Sequence, residues 1–181
     1  MKATGIVRRI DDLGRVVIPK EIRRTLKIRE GDPLEIFTDR EGGVILRKYS
    51  PIRELGEFAQ QYADSMAQTT GYTIAISDKD QVIASAGDSK KELISKKVSS
   101  ELEEAVEERN TISATKEDKN FILIVNKELD FAQQVISPII SEGDVIGAVT
   151  ILSKDTKEKF GETQIQLAET AASFLGSQME Q

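Results

Sequence analysis

Leu13-Gly14-Arg15-Val16-Val17-Ile18-Pro19-Lys20-Glu21-Ile22-Arg23-Arg24-Thr25-Leu26 decides the fold of the N-terminal part of this chain. Arg15 to Ile18 is a short β-branched run, and Asp11-Asp12-Leu13-Gly14 before it has turn composition. A second apolar run, Gly5 to Ile10, precedes the turn, so two strands and a connection are predicted. After Pro19 the period changes. Ile22 and Leu26 are four apart, which stacks them on one helical face, and proline tolerates the first helical position. Pro33 to Asp39 and Val44 to Tyr49 then alternate around Glu41-Gly42-Gly43, whose glycines accept the positive dihedrals of a tight hairpin. The predicted order is strand, strand, helix, strand, strand.

Lys20, Arg23, Arg24 and Lys27 fall at i, i+3, i+4 and i+7, a basic stripe opposite Ile22 and Leu26, with Glu21 as the lone acid among them. A solvated helix face is the plain explanation for such a run, but the near-uniform sign favours an anionic partner. The charge of the whole chain supports this. Residues 1–50 hold 12 Lys/Arg against 8 Asp/Glu, a net of plus four, inside a chain whose total is minus six; the remaining residues are therefore at minus ten. A basic head and an acidic body suggest that the head meets a polyanion. Fifty residues are close to the lower limit for a metal-free core, and oligomerisation is the usual remedy. A dimer would also set out two basic faces with twofold symmetry, as a duplex requires.

Thr4-Gly5-Ile6-Val7-Arg8-Arg9, the stretch from Asp11 to Leu26, and Glu30-Gly31-Asp32-Pro33-Leu34-Glu35-Ile36-Phe37 together resemble the AbrB-like transition-state regulators over the whole head. That resemblance implies a swapped-hairpin fold, in which two chains interleave their hairpins into one small β-barrel dimer that binds double-stranded DNA. It places the contacting arginines at Arg8, Arg15, Arg23 and Arg24. Lys2, Arg9 and Lys20 are added from charge and position, with Arg47 and Lys48 weaker still. Guanidinium groups bond bidentately to phosphates and guanine edges, whereas lysines act as point charges, so the arginines should carry the orientation. So short a helix offers little surface for base-by-base readout, and DNA shape should contribute to site choice.

The whole chain has 181 residues, 39% hydrophobic and 31% charged, which excludes a disordered tail. With no cysteine there is no disulfide, thiolate zinc site or cysteine nucleophile, and with no histidine the commonest general base and metal ligand are missing. An enzyme is not expected, nor a metal or cofactor. The N-terminus has no hydrophobic block, and runs such as Phe121 to Val125 are about five residues against roughly 20 for a membrane span. A cytoplasmic protein is expected, and the resemblance of its head to DNA-binding regulators implies that it is nucleoid-associated.

Tyr49-Ser50-Pro51 marks the boundary, with Ser50 as helix N-cap and Pro51 as first helical residue. The expected domains are 1–50 for DNA binding, 51–55 as a linker leading into a helix, and 56–178 as the body. Ile52, Leu55, Ala59, Tyr62 and Met66 form a three-four seam that predicts helix to about Thr70. Strands are predicted at Tyr72 to Ile76, Val82 to Ala86, Thr111 to Thr115, Phe121 to Val125, Gln133 to Ile140 and Val145 to Leu152. Ser99 to Arg109 is predicted helical, and Glu162 to Met179 carries a second seam on Ile165, Ala168, Ala172, Leu175 and Met179. The two seams suit packing on the body's own sheet or a four-helix bundle with a second body.

This order, with Ser137-Pro138-Ile139 leading to the run from Gly143 to Ile151 and Phe160 before a long last helix, resembles a GAF sensor domain. The fold class expected is α+β: the swapped-hairpin head joined to a GAF-like antiparallel sheet flanked by helices. Head and body in this order resemble a family of sporulation transcription regulators. The resemblance implies a DNA-binding activator and repressor of sporulation genes, modulated by a small molecule on the body and assembled as a head-linked homodimer or a homotetramer. The cyclic-nucleotide signature of some GAF domains is missing, since its position reads Ser153-Lys154, Phe160 and Thr163-Gln164; the ligand stays unknown. The five glutamates between Glu101 and Glu108 read as a solvated helix face, and the Ser-Lys-Lys pairs at 89–91 and 95–97 as a mobile loop. The rival class is an antitoxin-type swapped-hairpin protein with a partner-binding C-terminal region.

Overall fold

The computed structural model describes residues 6–180. The chain divides into two compact units between Tyr49 and Ser50.

In the first unit the turn forms where expected. The Asp11 N–H donates to the Arg15 carbonyl at 3.0 Å, and the Asp11 carboxylate accepts from the N–H groups of Leu13 and Arg15 at 3.0 and 2.8 Å. Helix α1 spans Lys20–Thr25 behind Pro19. It ends in a Schellman arrangement, with the Ile28 N–H on the Arg23 carbonyl at 2.8 Å and Lys27 at a φ of 52°. Strands β1, Leu34–Thr38, and β2, Val44–Lys48, pair antiparallel from Leu34 opposite Lys48 to Thr38 opposite Val44. Asp39 closes their turn by accepting from the N–H groups of Glu41 and Gly43.

The arms flanking Asp11–Gly14 are the correction here: neither the run ending at Ile10 nor Arg15 to Ile18 is a strand within one chain. A strand needs a neighbour to take its N–H and C=O groups, and β1 and β2 pair with each other instead. Among the described residues the head holds a two-stranded sheet and no closed barrel, and its apolar arms are exposed: Val7 is 91% exposed and Val17 70%.

The second unit begins with α2, Pro51–Glu54, and α3, Gly56–Thr70, which together make the predicted helix with a break at Leu55. Ser50 donates its hydroxyl to Asp78 Oδ2 at 3.0 Å, while Asp78 Oδ1 accepts from the Asp80 and Gln81 N–H groups at 2.7 Å. Strands β3 (Thr73–Asp78), β4 (Val82–Ala86), β5 (Ile112–Thr115), β6 (Gln133–Ser141) and β7 (Asp144–Ser153) form one antiparallel sheet in the order β4-β3-β7-β6-β5. Helices α4 (Lys90–Leu93), α5 (Ser100–Glu107) and α6 (Glu162–Gln178) complete the unit.

Period-two alternation splits the sheet's side chains between two cores. Ile74, Ile76, Val135, Val149 and Ile151 pack with Ala59 and Ala63 of α3 and with Ala168, Ala171, Ala172 and Leu175 of α6. Ala75, Ile136, Ala148 and Leu152 face the other way, toward Leu93, Leu102, Val106 and Phe131. Small residues on α6 bring it close to the sheet. A Cβ on Gly176 would lie 2.1 Å from the Ile140 carbonyl oxygen, and one on Gly147 of β7 2.0 Å from that of Ser77.

Two further expectations are corrected. Phe121 to Val125 is not a strand, because side chains rather than a neighbouring strand satisfy much of its backbone. Gln134 is fully buried on β6, and with its amide oriented so that nitrogen and oxygen each meet a complementary group it donates to the Ile122 carbonyl at 2.9 Å and accepts from its N–H at 2.7 Å. Ser99 donates to the Leu123 carbonyl while capping α5 through the Leu102 N–H, and Glu101 accepts from the Leu123 N–H at 3.0 Å. The segment predicted as a mobile loop around Ser89 folds instead as α4, because Leu93 has an apolar core to enter and is fully buried.

Candidate nucleic-acid interface and sensor face

Turn and helix position the head's cations. Arg15 follows the Asp11–Gly14 turn, 70% exposed, with its Nε on Asp11 Oδ2 at 2.8 Å. The Arg15 N–H and guanidinium, together with the Leu13 N–H, hold the Asp11 carboxyl below its usual range. The pair therefore fixes the turn and leaves the far side of the guanidinium open to a phosphate.

On α1, Lys20 and Arg24 are exposed, and Arg23 is half-buried with an Nε that is out of water and has no hydrogen-bond partner among the described residues. An orphaned guanidinium N–H is costly, and an acceptor brought by a second chain or by DNA would satisfy it. Arg8 and Arg9 lie exposed on the arm that forms no strand. Lys2 lies outside the described residues. Of the weaker candidates, the Arg47 guanidinium sits 5.2 Å over the Phe37 ring, and Lys48 is engaged by the Lys27 carbonyl at 3.5 Å and Asp32 at 3.8 Å.

In the body, the sheet face covered by α4, α5 and residues 116–132 is closely packed. One cleft, lined by Ser77, Asp78, Leu102, Val106 and Gly147, and another, lined by Ile122, Leu129, Phe131, Gln134 and Leu152, have volumes of about 10 Å³ each. That is room for a water molecule. On the opposite face Phe58, Tyr62 and Phe174 form an outward aromatic cluster, with ring centroids 5.6 to 6.5 Å apart and Phe174 40% exposed. Sequence periodicity found Tyr62 as a seam residue but missed Phe174, which lies off the buried stripe of α6. It also missed Gln134, since a glutamine inside an apolar strand gives no sign of what its amide will meet.

Residues 54–180 match the family described as stage V sporulation protein T C-terminal, transcription factor, and residues 7–54 match the MazE bacterial antitoxin family. The chain is 54% identical over 181 residues to stage V sporulation protein T of Bacillus subtilis (strain 168), covering all of both chains. This chain belongs to the stage V sporulation protein T family of transcription factors. The head of this chain is similar to a second regulator: 51 residues are 65% identical to the transition state regulatory protein AbrB of Bacillus subtilis (strain 168), covering 28% of this chain and 52% of that one. The body of this chain shares its fold with the blue-light absorbing form of the Thermosynechococcus elongatus PixJ GAF domain, at a TM-score of 0.55, 12% identity, and coverage of 74% of this chain and 89% of that one. Head and body expectations thus hold at the level of fold, an AbrB-like head and a GAF-like antiparallel body. Among the described residues no helix is long and apolar enough to cross a membrane.

Proposed function

We propose that this chain is a DNA-binding transcription regulator of sporulation genes, an activator and repressor whose head dimer grips double-stranded DNA and whose body tunes the grip in response to a small molecule. One observation carries the DNA contact: the head exposes Arg8, Arg9, Arg15 and Arg24 on its arm, turn and short helix, beside exposed apolar residues of the arms and turn and Leu26 at the end of that helix. Closing those apolar arms against a second chain builds a twofold surface carrying each basic group twice. Arg8, Arg15, Arg23 and Arg24 are assigned to DNA, with Arg9, Lys20 and Lys2 contributing charge. Residues 1–50 take the DNA role, 56–178 sensing and assembly, and 51–55 join them. The regulator acts in the cytoplasm on the nucleoid, and no catalytic role is assigned.

The aromatic cluster of α3 and α6 supports a second contact, body to body, which turns head dimers into a tetramer. The antitoxin alternative has less support, since the part of the chain following the match to the antitoxin family folds into a packed five-stranded body rather than a tail.

The test is filter binding of the full chain to labelled duplex at fixed potassium chloride, beside sedimentation. Arg15→Ala and Arg23→Ala should each lose about 1–3 kcal/mol of affinity while sedimenting as the parent does. Unchanged binding in both variants would refute the assignment.

A further inference from the structure

The side of the body sheet covered by α3 and α6 holds a third concavity, away from the two small clefts. Helix α6 lies across β6 and β7 rather than over the edge strand β5, and the space left beside it is an open groove of about 330 Å³. That is at the small end of the roughly 300–1,000 Å³ of ligand sites. Arg109, Thr111, Ser137, Pro138, Glu169 and Ser173 are among its lining residues. On α6, Glu169, Ser173 and Ser177 lie at i, i+4 and i+8 and make one stripe along the groove, and Phe174 lies about 60° around the helix from Ser177, beside that stripe rather than on it.

Three features give the groove its chemistry. Ser137 is 97% buried by its 3% exposure, and its hydroxyl lies 3.2 Å from that of Thr111. Such a pair spends one O–H on itself and keeps the other, with spare lone pairs, for a third group. Arg109 has no carboxylate partner among the described residues and is held at a φ of 60°, just past the C-terminus of α5. Glycine or asparagine commonly takes that position, so a backbone cost accompanies a cation at the groove. Glu169, exposed on α6, likewise has no cation partner among the described residues. One cation, one anion, a hydroxyl pair and the apolar surface of Pro138 and Ala172 complement a small molecule carrying both charges and a short aliphatic part.

We infer that this groove is a binding site for an amino-acid-class zwitterion, a free α-amino acid or a dipeptide, with the carboxylate on Arg109 and the ammonium on Glu169. The inference rests on the sensor role of the body and names its ligand class. Because the measurement needs no DNA, its failure leaves the DNA assignment standing, and the reverse is also true.

The experiment is titration calorimetry of the full chain with L-leucine and with glycyl-L-leucine, each beside isocaproate and isoamylamine, which lack the ammonium and the carboxylate. Saturable binding of either zwitterion at one per chain is expected, weakened about tenfold or more by Arg109→Gln, by Glu169→Gln and by removal of either ligand charge. Arg109→Gly should abolish binding yet leave Tm unlowered, since glycine accepts the backbone conformation. Absence of saturable binding by both zwitterions overturns the site. So does equal binding of the single-charge analogues, or binding indifferent to both glutamine substitutions.

Discussion

Asp11 and Arg15 show how one residue pair serves both shape and recognition. The carboxylate closes the turn by accepting from two backbone N–H groups and the Arg15 guanidinium, and these bonds lower its pKa. A depressed folded-state pKa means that the turn is favoured above the unfolded-state value and loses that support as pH falls through the folded-state one. Carboxyl NMR should therefore find Asp11 titrating below 3.8, its ordinary value, and Arg15→Ala should move the midpoint back up. Arg15→Lys separates the two roles. It keeps the charge but loses the planar fork, so its DNA affinity should fall between those of the parent and Arg15→Ala.

Close approach of backbones and one buried amide set the geometry of the body's elements. Gly176→Ala forces a methyl group onto the Ile140 carbonyl, and Gly147→Ala onto that of Ser77. Neither contact is with a flexible side chain, so each substitution should cost at least about 1–3 kcal/mol, read as a lower urea midpoint. Gln134→Leu keeps the volume but strips Ile122 of both hydrogen-bond partners. The expected loss is about 1–3 kcal/mol, with faster amide exchange at Ile122 rather than across the sheet.

For the whole molecule, the proposed assembly has two readouts. If the head dimer presents its eight assigned arginines to phosphates, raising potassium chloride from about 50 to about 200 mM should weaken DNA binding by about 10⁴-fold. Affinity that is flat across that range would contradict phosphate contact. If bodies pair through Phe58, Tyr62 and Phe174, then Phe174→Glu together with Tyr62→Ser should sediment as dimers that retain DNA binding at high protein concentration, while the parent sediments as tetramers.

Local pattern alone specified α1, the hairpin turn at Asp39, the long helices and most of the body strands, because periodicity and turn chemistry act over a few neighbouring residues. The same local information fixed the basic stripe from Lys20 to Lys27 and the charge contrast between head and body. It could not fix whether the arms beside Asp11 pair, because Val7 and Val17 carry strand propensity but strand formation depends on a neighbour supplied from elsewhere. Nor could it show that Gln134 would take the place of a strand beside Ile122, or that the residues after Arg109 would lie beside Ser137 and α6. Those outcomes depend on chain segments distant in sequence meeting at hydrogen-bonding distance, and tertiary packing decided them.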